Sequence, residues 1–222
     1  MYEGYFENGA MSGEGVYKVY DPLTQSYSEA QGVWRNGNFH GVGYAKDLEI
    51  KSFNVNVGYY AETLLDQYVS SSKKDEFLGA KKKYLRGRYT GPLLGGLPSG
   101  SDGLCVYEDS SEYQGEWKSG RRNGMGVYRY ANLDEYFGKW VGDKRCGNGR
   151  WVSTVANERE IAYDGQWEDN VPHGEGMMQY QDKSVYVGNF KAGKRVDYGK
   201  LTDGESNRVV YDGMWTNDQP AS

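Results

Sequence analysis

Residues 113–128 read Y-Q-G-E-W-K-S-G-R-R-N-G-M-G-V-Y. Tyr113, Gly115 and Trp117 stand two apart, and so do Gly124, Gly126 and Tyr128. Alternation at two residues is the strand period, because successive side chains point to opposite faces of a sheet. The segment between the two runs, residues 118–123, is polar and carries Gly120. Strand, glycine-bearing turn and strand predict a β-hairpin. A single hairpin is marginal in water, so the fold depends on whether this one has neighbours.

It has several. Taking Tyr113 as position zero, the pattern is glycine at +2, an aromatic at +4, and glycines at +11 and +13. Tyr2, Gly4, Phe6, Gly13 and Gly15 fit it, as do Tyr136, Gly138, Trp140, Gly147 and Gly149. Tyr163, Gly165, Trp167, Gly174 and Gly176 fit it too. A unit at Ala30 keeps Gly32, Trp34, Gly41 and Gly43 but lacks the leading tyrosine. One at Tyr186 keeps Gly188, Phe190 and Gly199, with Asp197 in place of a glycine, and one at Tyr211 keeps Gly213 and Trp215. Two weaker units complete the series, at Asn56 (with Gly58 and Tyr60) and at Leu85 (with Gly87, Tyr89 and Gly96). The nine starts lie 23 to 29 residues apart, the spacing of stacked supersecondary repeats.

The turns give an independent check. A type I′ turn or a G1 bulge needs positive φ at its second central residue. At +7 the chain places Gly9, Gly37, Gly120, Asp143, Asn170, Gly193 and Asp218, all types that tolerate the left-handed region. The two weak units have Thr63 and Pro92 there.

A hairpin cannot bury one aromatic face or satisfy its outer edges by itself, and hairpins laid side by side do both. The expected fold is therefore all-β: an elongated, single-layer, twisted antiparallel meander of about nine stacked hairpins. Tyrosine, glycine and tryptophan at 0, +2 and +4 share a face, and the glycines leave room for rings to lie on bare backbone. Residues 1–60 carry N-terminal hairpins and residues 85–222 the C-terminal ones, in one continuous repeat domain. Residues 61–84 form an insertion. Within it Ala61, Leu64, Leu65 and Tyr68 have helical spacing, so a short helix is expected before a basic loop.

Composition agrees with this reading. There are 32 glycines, about twice the usual share, and 21 tyrosines dominate the aromatics. Stacked rings can replace an aliphatic core, since each buries a large area. The net charge of −5 disfavours nucleic-acid binding. Cys105 and Cys146 fall at unrelated repeat positions and read as free thiols of a reducing compartment. No apolar run reaches membrane-spanning length and no targeting segment is evident, so a cytoplasmic setting is expected.

No catalytic, cofactor or metal site emerges. His40 and His173 each sit ten residues into a unit, which repeat position explains. Gly13-Glu14-Gly15 has no following helix to make a phosphate loop, and residues 91–96 lack the lysine of one. Two features remain. The aromatic stripe of Tyr113, Trp117, Tyr136, Trp140, Tyr163, Trp167, Tyr186 and Phe190 either packs only on itself and on glycine, or lines an open groove. Such a groove would accept an apolar helix or an extended segment of another protein. The second feature is basic: Lys73, Lys74, Lys81, Lys82, Lys83, Arg86 and Arg88 against Asp75 and Glu76 make residues 73–88 locally +5 (seven minus two). That segment could meet anionic lipid headgroups, an acidic protein or only solvent.

The run Y-x-G-x-W, a polar turn and G-x-G in residues 113–126 resembles the MORN repeat (membrane occupation and recognition nexus). His40 and His173 stand where that family often has histidine. The resemblance covers nearly the whole chain and is weakest over residues 56–103. It implies an elongated β-meander and a scaffolding role, in flagella, cytoskeletal structures or junctions between membranes. The function expected is a non-catalytic scaffold binding partner proteins along the aromatic face, within an assembly such as a flagellar axoneme or another cytoskeletal structure. The alternative is a membrane-associated tether acting through residues 73–88. Stacked repeats need capped ends, so at least one end edge is expected to be covered by another chain or by a second copy.

Overall fold

The computed structural model describes every residue except 23–24, 50–86, 108, 155–159 and 222. Every regular element among the described residues is a β-strand, and every strand pairing is antiparallel. The helix expected over residues 61–69 and the unit read at Asn56 lie outside the described residues. The chain divides into two units, Met1–Arg121 and Arg122–Ser222.

The first unit holds β1 (Tyr2–Glu7), β2 (Ala10–Asp21), β3 (Ser26–Arg35), β4 (Asn38–Glu49), β5 (Gly87–Leu94), β6 (Leu97–Pro98), β7 (Gly100–Tyr107) and β8 (Glu112–Lys118). Each strand pairs with the next in sequence, except that β5 pairs with both the short β6 and β7. The second unit runs β9 (Arg121–Arg129), β10 (Glu135–Val141), β11 (Lys144–Val152), β12 (Glu160–Glu168), β13 (Val171–Tyr180), β14 (Val185–Lys191), β15 (Lys194–Thr202), β16 (Val209–Thr216) and β17 (Gln219–Pro220). It is a meander without a crossover.

The hairpin turns are of type I′. Both central residues have positive φ: Asn8 and Gly9 at 51° and 79°, Asp169 and Asn170 at 48° and 75°, Asn217 and Asp218 at 48° and 68°. This geometry carries the twist of the flanking strands through a two-residue loop. The two glycines of G-x-G prove to have different tasks. The first sits in the left-handed region, as Gly147 does at φ 57°, beside the point where strand register shifts. Asp197 takes φ 54° at the equivalent place, which explains why aspartate can stand there. The second glycine is wanted for space rather than for conformation.

One sequence assignment is corrected. The unit read at Leu85 starts four residues later, at Tyr89. The Tyr89 hydroxyl donates to the Pro92 carbonyl at 2.9 Å, the same three-residue reach made by the leading tyrosines of other units. In this register Gly96 falls at the second turn position, with φ 80°, so the turn rule holds here after all. β4 pairs with β3 on one side and directly with β5 on the other, Gly43 facing Leu93 and Leu48 facing Tyr89. Both edges of β4 are filled.

Candidate functional site

The ring face is built from one contact repeated along each unit. Gly138 and Gly149 face each other across β10 and β11. The Tyr136 ring lies over this bare pair: a Cβ on Gly138 would come within 2.5 Å of the Tyr136 hydroxyl oxygen and 2.6 Å of the Gly149 Cα. The hydroxyl donates to the Lys139 carbonyl at 3.2 Å. Trp167 of the next hairpin then meets Tyr136 edge-on, centroids 5.1 Å apart and planes at 84°. Its indole Nε1 donates to the Gly149 carbonyl at 2.9 Å. Tyr163 with Phe190 and Tyr186 with Trp215 repeat the stack at 5.1 and 5.3 Å. Edge-to-face geometry is the preferred one for aromatic pairs.

A third layer covers the rings. Arg122, Arg145 and Arg195 place their guanidinium groups 4.3, 4.3 and 4.1 Å from the ring centroids of Trp140, Trp167 and Trp215. Each also donates to a carbonyl of the following turn: Asp143 at 3.0 Å, Asn170 at 2.6 Å and Asp218 at 2.9 Å. Stacking and turn capping by one side chain tie each hairpin to the next. The junction before Phe190 lacks all three parts, having Pro172, Phe190 and Gly193 where the others have arginine, tryptophan and an Asp or Asn. The backbone bond from Gly193 N–H to the Pro172 carbonyl, 2.9 Å, is kept, as is the stack of Phe190 on Tyr163.

This packing closes the groove expected from the sequence. Tyr113, Tyr136, Tyr163 and Tyr186 are 0 % exposed, Trp140 2 %, Phe190 3 %, and Trp117 and Trp167 6 %. Within each unit the rings pack on one another and on glycine backbone, and arginine covers Trp140 and Trp167. Burial pushes the Tyr136 and Tyr163 phenols well above their usual range and that of Tyr186 up to about 12. At neutral pH these hydroxyls are therefore hydrogen-bond donors, without the character of a base.

The accessible apolar groups stand on the opposite, outward face. Phe137, Val141, Met177, Val187, Tyr198 and Met214 are all exposed, by 44 % (Met177) to 58 % (Tyr198). In the central row of the second unit each residue faces the next across the strands. Val127 faces Phe137, Phe137 faces Arg150, and Arg150 faces Asp164. Asp164 then faces Met177, Met177 faces Val187, and Val187 faces Lys200. Sequence reasoning missed this face because the repeat pattern does not constrain it. The signal available was the apolar character of single +1 and +14 positions, such as Phe137 and Met177.

Of the basic segment only Arg88 is described, and it is engaged. Its guanidinium holds the Asp47 carboxylate at 2.7 and 2.9 Å. Lys73, Lys74, Lys81, Lys82, Lys83 and Arg86 lie outside the described residues. His40 is exposed. His173 Nδ1 lies 3.1 Å from Glu168, and both line a depression of about 860 Å³ together with Met125, Val141 and Cys146. Cys105 is buried and Cys146 half-buried, and neither is in a disulfide. Among the described residues no group of three His, Cys, Asp or Glu side chains is placed to hold a metal ion.

An all-β ladder of tyrosine, glycine and tryptophan hairpins defines a repeat protein whose core is the junction between neighbours. The MORN repeat model matches residues 2–18, 31–44, 113–135, 136–154, 163–185 and 186–208, more than half of the chain, and the chain belongs to the MORN repeat family. MORN repeats are found in scaffold and membrane-binding proteins and are generally non-catalytic. No curated protein matches the chain significantly.

Proposed function

We propose that the protein is a non-catalytic scaffold subunit that binds partner proteins through the outward face of its sheet. The observation that carries this reading is the contrast between the faces. Rings are spent on internal packing, whereas Phe137, Val187, Tyr198 and Met214 are each more than half exposed on the other side. An apolar face of this kind, interspersed with charges, suits protein contacts. The family resemblance suggests a cytoskeletal assembly such as a flagellar axoneme as the setting.

The test compares chemical cross-linking in native extract for the wild-type chain and for Phe137→Glu. Phe137 is exposed, so its replacement leaves the fold intact. The reading expects cross-linked proteins that disappear with Phe137→Glu while the melting temperature holds. Identical cross-link patterns for the two proteins contradict it.

A further inference from the structure

Among the described residues four junctions join the hairpins of the second unit, and one of them is built differently. At β9/β10, β11/β12 and β15/β16 an arginine backbone N–H donates to an Asp or Asn side chain of the next turn. Arg122 donates to Asp143, Arg145 to Asn170 and Arg195 to Asp218, each at 2.9 Å. The same arginine covers the tryptophan, whose indole donates to a glycine carbonyl of the earlier hairpin, as Trp215 does to Gly199 at 2.9 Å. At β13/β14 the corresponding residues are Pro172, Gly193 and Phe190. Proline has no backbone N–H to give, glycine has no side chain to receive it, and phenylalanine has no ring donor. The replacements match one another, so no buried polar side chain is stranded among the described residues. The first unit has the same proline–glycine pair in Pro98 and Gly120, but there Trp117 keeps its indole bond to Gly103 at 2.9 Å.

From this we infer that β13/β14 is a seam at which the second unit opens, β14–β17 parting from β9–β13 as a block while each block stays folded. The backbone ladder does not make the difference. β13 and β14 pair from Gly174–Phe190 to Gln179–Val185, and β11 and β12 from Gly147–Trp167 to Val152–Ala162, both without a shift of register. What differs is the side-chain clamp. Each hydrogen bond it supplies shifts the opening equilibrium by roughly fivefold. Three are missing: arginine N–H to the turn side chain, guanidinium to the turn carbonyl, and indole to glycine. Together they favour opening at β13/β14 over β11/β12 by on the order of 100-fold. In a repeat array the cost of separating two neighbours is set by the interface between them, and the least stable interface opens first. The clamps of Arg145 on Trp167 and Arg195 on Trp215 confine the opening to this one place. Opening uncovers the Tyr163 and Phe190 rings, which meet across the seam at 5.1 Å, and frees the facing edges of β13 and β14. The seam is a conformational joint of the ring face and does not depend on what the outward face binds.

Hydrogen exchange of the full chain, followed amide by amide by NMR, tests this. In the wild-type chain the amides bonded between β13 and β14 are expected to have protection at least about 10-fold lower than those bonded between β11 and β12. Pro172→Arg, Phe190→Trp and Gly193→Asp together rebuild the clamp. Asp143 and Asp218 hold φ of 72° and 68° where Gly193 holds 80°, so aspartate fits that turn. The rebuilt chain is expected to gain about 10-fold or more in protection at β13/β14, with β11/β12 unchanged. Pro172→Arg with Gly193→Asp keeps the native ring, needs no extra room beside Tyr163, and is expected to gain about fivefold or more. Thermal melts verify that both variants fold. Equal protection at the two junctions of the wild-type chain overturns the inference, as does a folded rebuilt chain whose exchange at β13/β14 is unchanged. The measurement involves no other protein, so its failure leaves partner capture in extract untouched.

Discussion

Gly149→Val is expected to destabilise the second unit by at least about 3 kcal/mol, whereas Asn148→Val, one residue away on the same strand, stays within about 0.5 kcal/mol of wild type. The reason is the face each residue serves. Asn148 is exposed on the outward side. Gly149 lies beneath the Tyr136 ring, and the nearest three atoms to an added Cβ all belong to that ring or its hydroxyl. Valine must expel a side chain that is 0 % exposed. With it go the hydroxyl bond to Lys139 and the edge contact with Trp167. Backbone conformation is not at issue, since Gly149 does not adopt a positive φ. Urea unfolding of the two variants checks the difference, and equal midpoints refute the glycine argument.

Trp167→Ala is expected to cost about 3–5 kcal/mol, the range for an aromatic deleted from a packed site. The indole joins four partners: Tyr136 and Tyr163 on its edges, Arg145 on its face and the Gly149 carbonyl at its N–H. Trp167→Phe separates these contributions. Phe190 occupies the equivalent place in the next hairpin, meeting Tyr163 at 5.1 Å and 85° without any donor. Phenylalanine at 167 therefore keeps the ring stack but loses the indole hydrogen bond, about 1 kcal/mol, together with part of the ring face under Arg145. Stability in a repeat array is largely a sum over neighbouring junctions, so hydrogen exchange in Trp167→Ala is expected to rise most in β11 and β12. Uniform exchange throughout the second unit would show that the junction is not the unit of stability.

Much of this fold was legible in the sequence because its rules are local. Strand alternation, a turn residue able to take positive φ and a glycine two places from a tyrosine are all matters of spacing. They located Gly9, Asn170 and Asp218 in their turns. The hairpin at Tyr89 was misplaced because it departs from the spacing rule. The glycine that carries the Trp117 indole bond is Gly103, fourteen residues beyond Tyr89 where the other units have thirteen. The closure of the ring face was not legible from one unit alone. The cover of each tryptophan comes from the preceding hairpin, as Arg145 and Gly149 cover Trp167. One clue was present in the chain itself. Arginine at +9 accompanies tryptophan and an Asp or Asn in the following unit, and Pro172 accompanies Phe190 and Gly193.

The central claim is that one face of the sheet is packing and the other is display. Met177 and Met178 are adjacent and chemically identical. One is 44 % exposed on the outward face and the other 3 % exposed among the rings. Oxidation by a brief hydroxyl-radical pulse, read by mass spectrometry on dilute protein, compares them within a single molecule. The two-faced sheet predicts that Met177 is oxidised many times faster than Met178, with Trp140 and Trp167 protected alongside Met178. Equal rates for the two methionines, or rapid oxidation of those tryptophans, would mean that the rings are open to solvent and that the assignment of the faces is wrong.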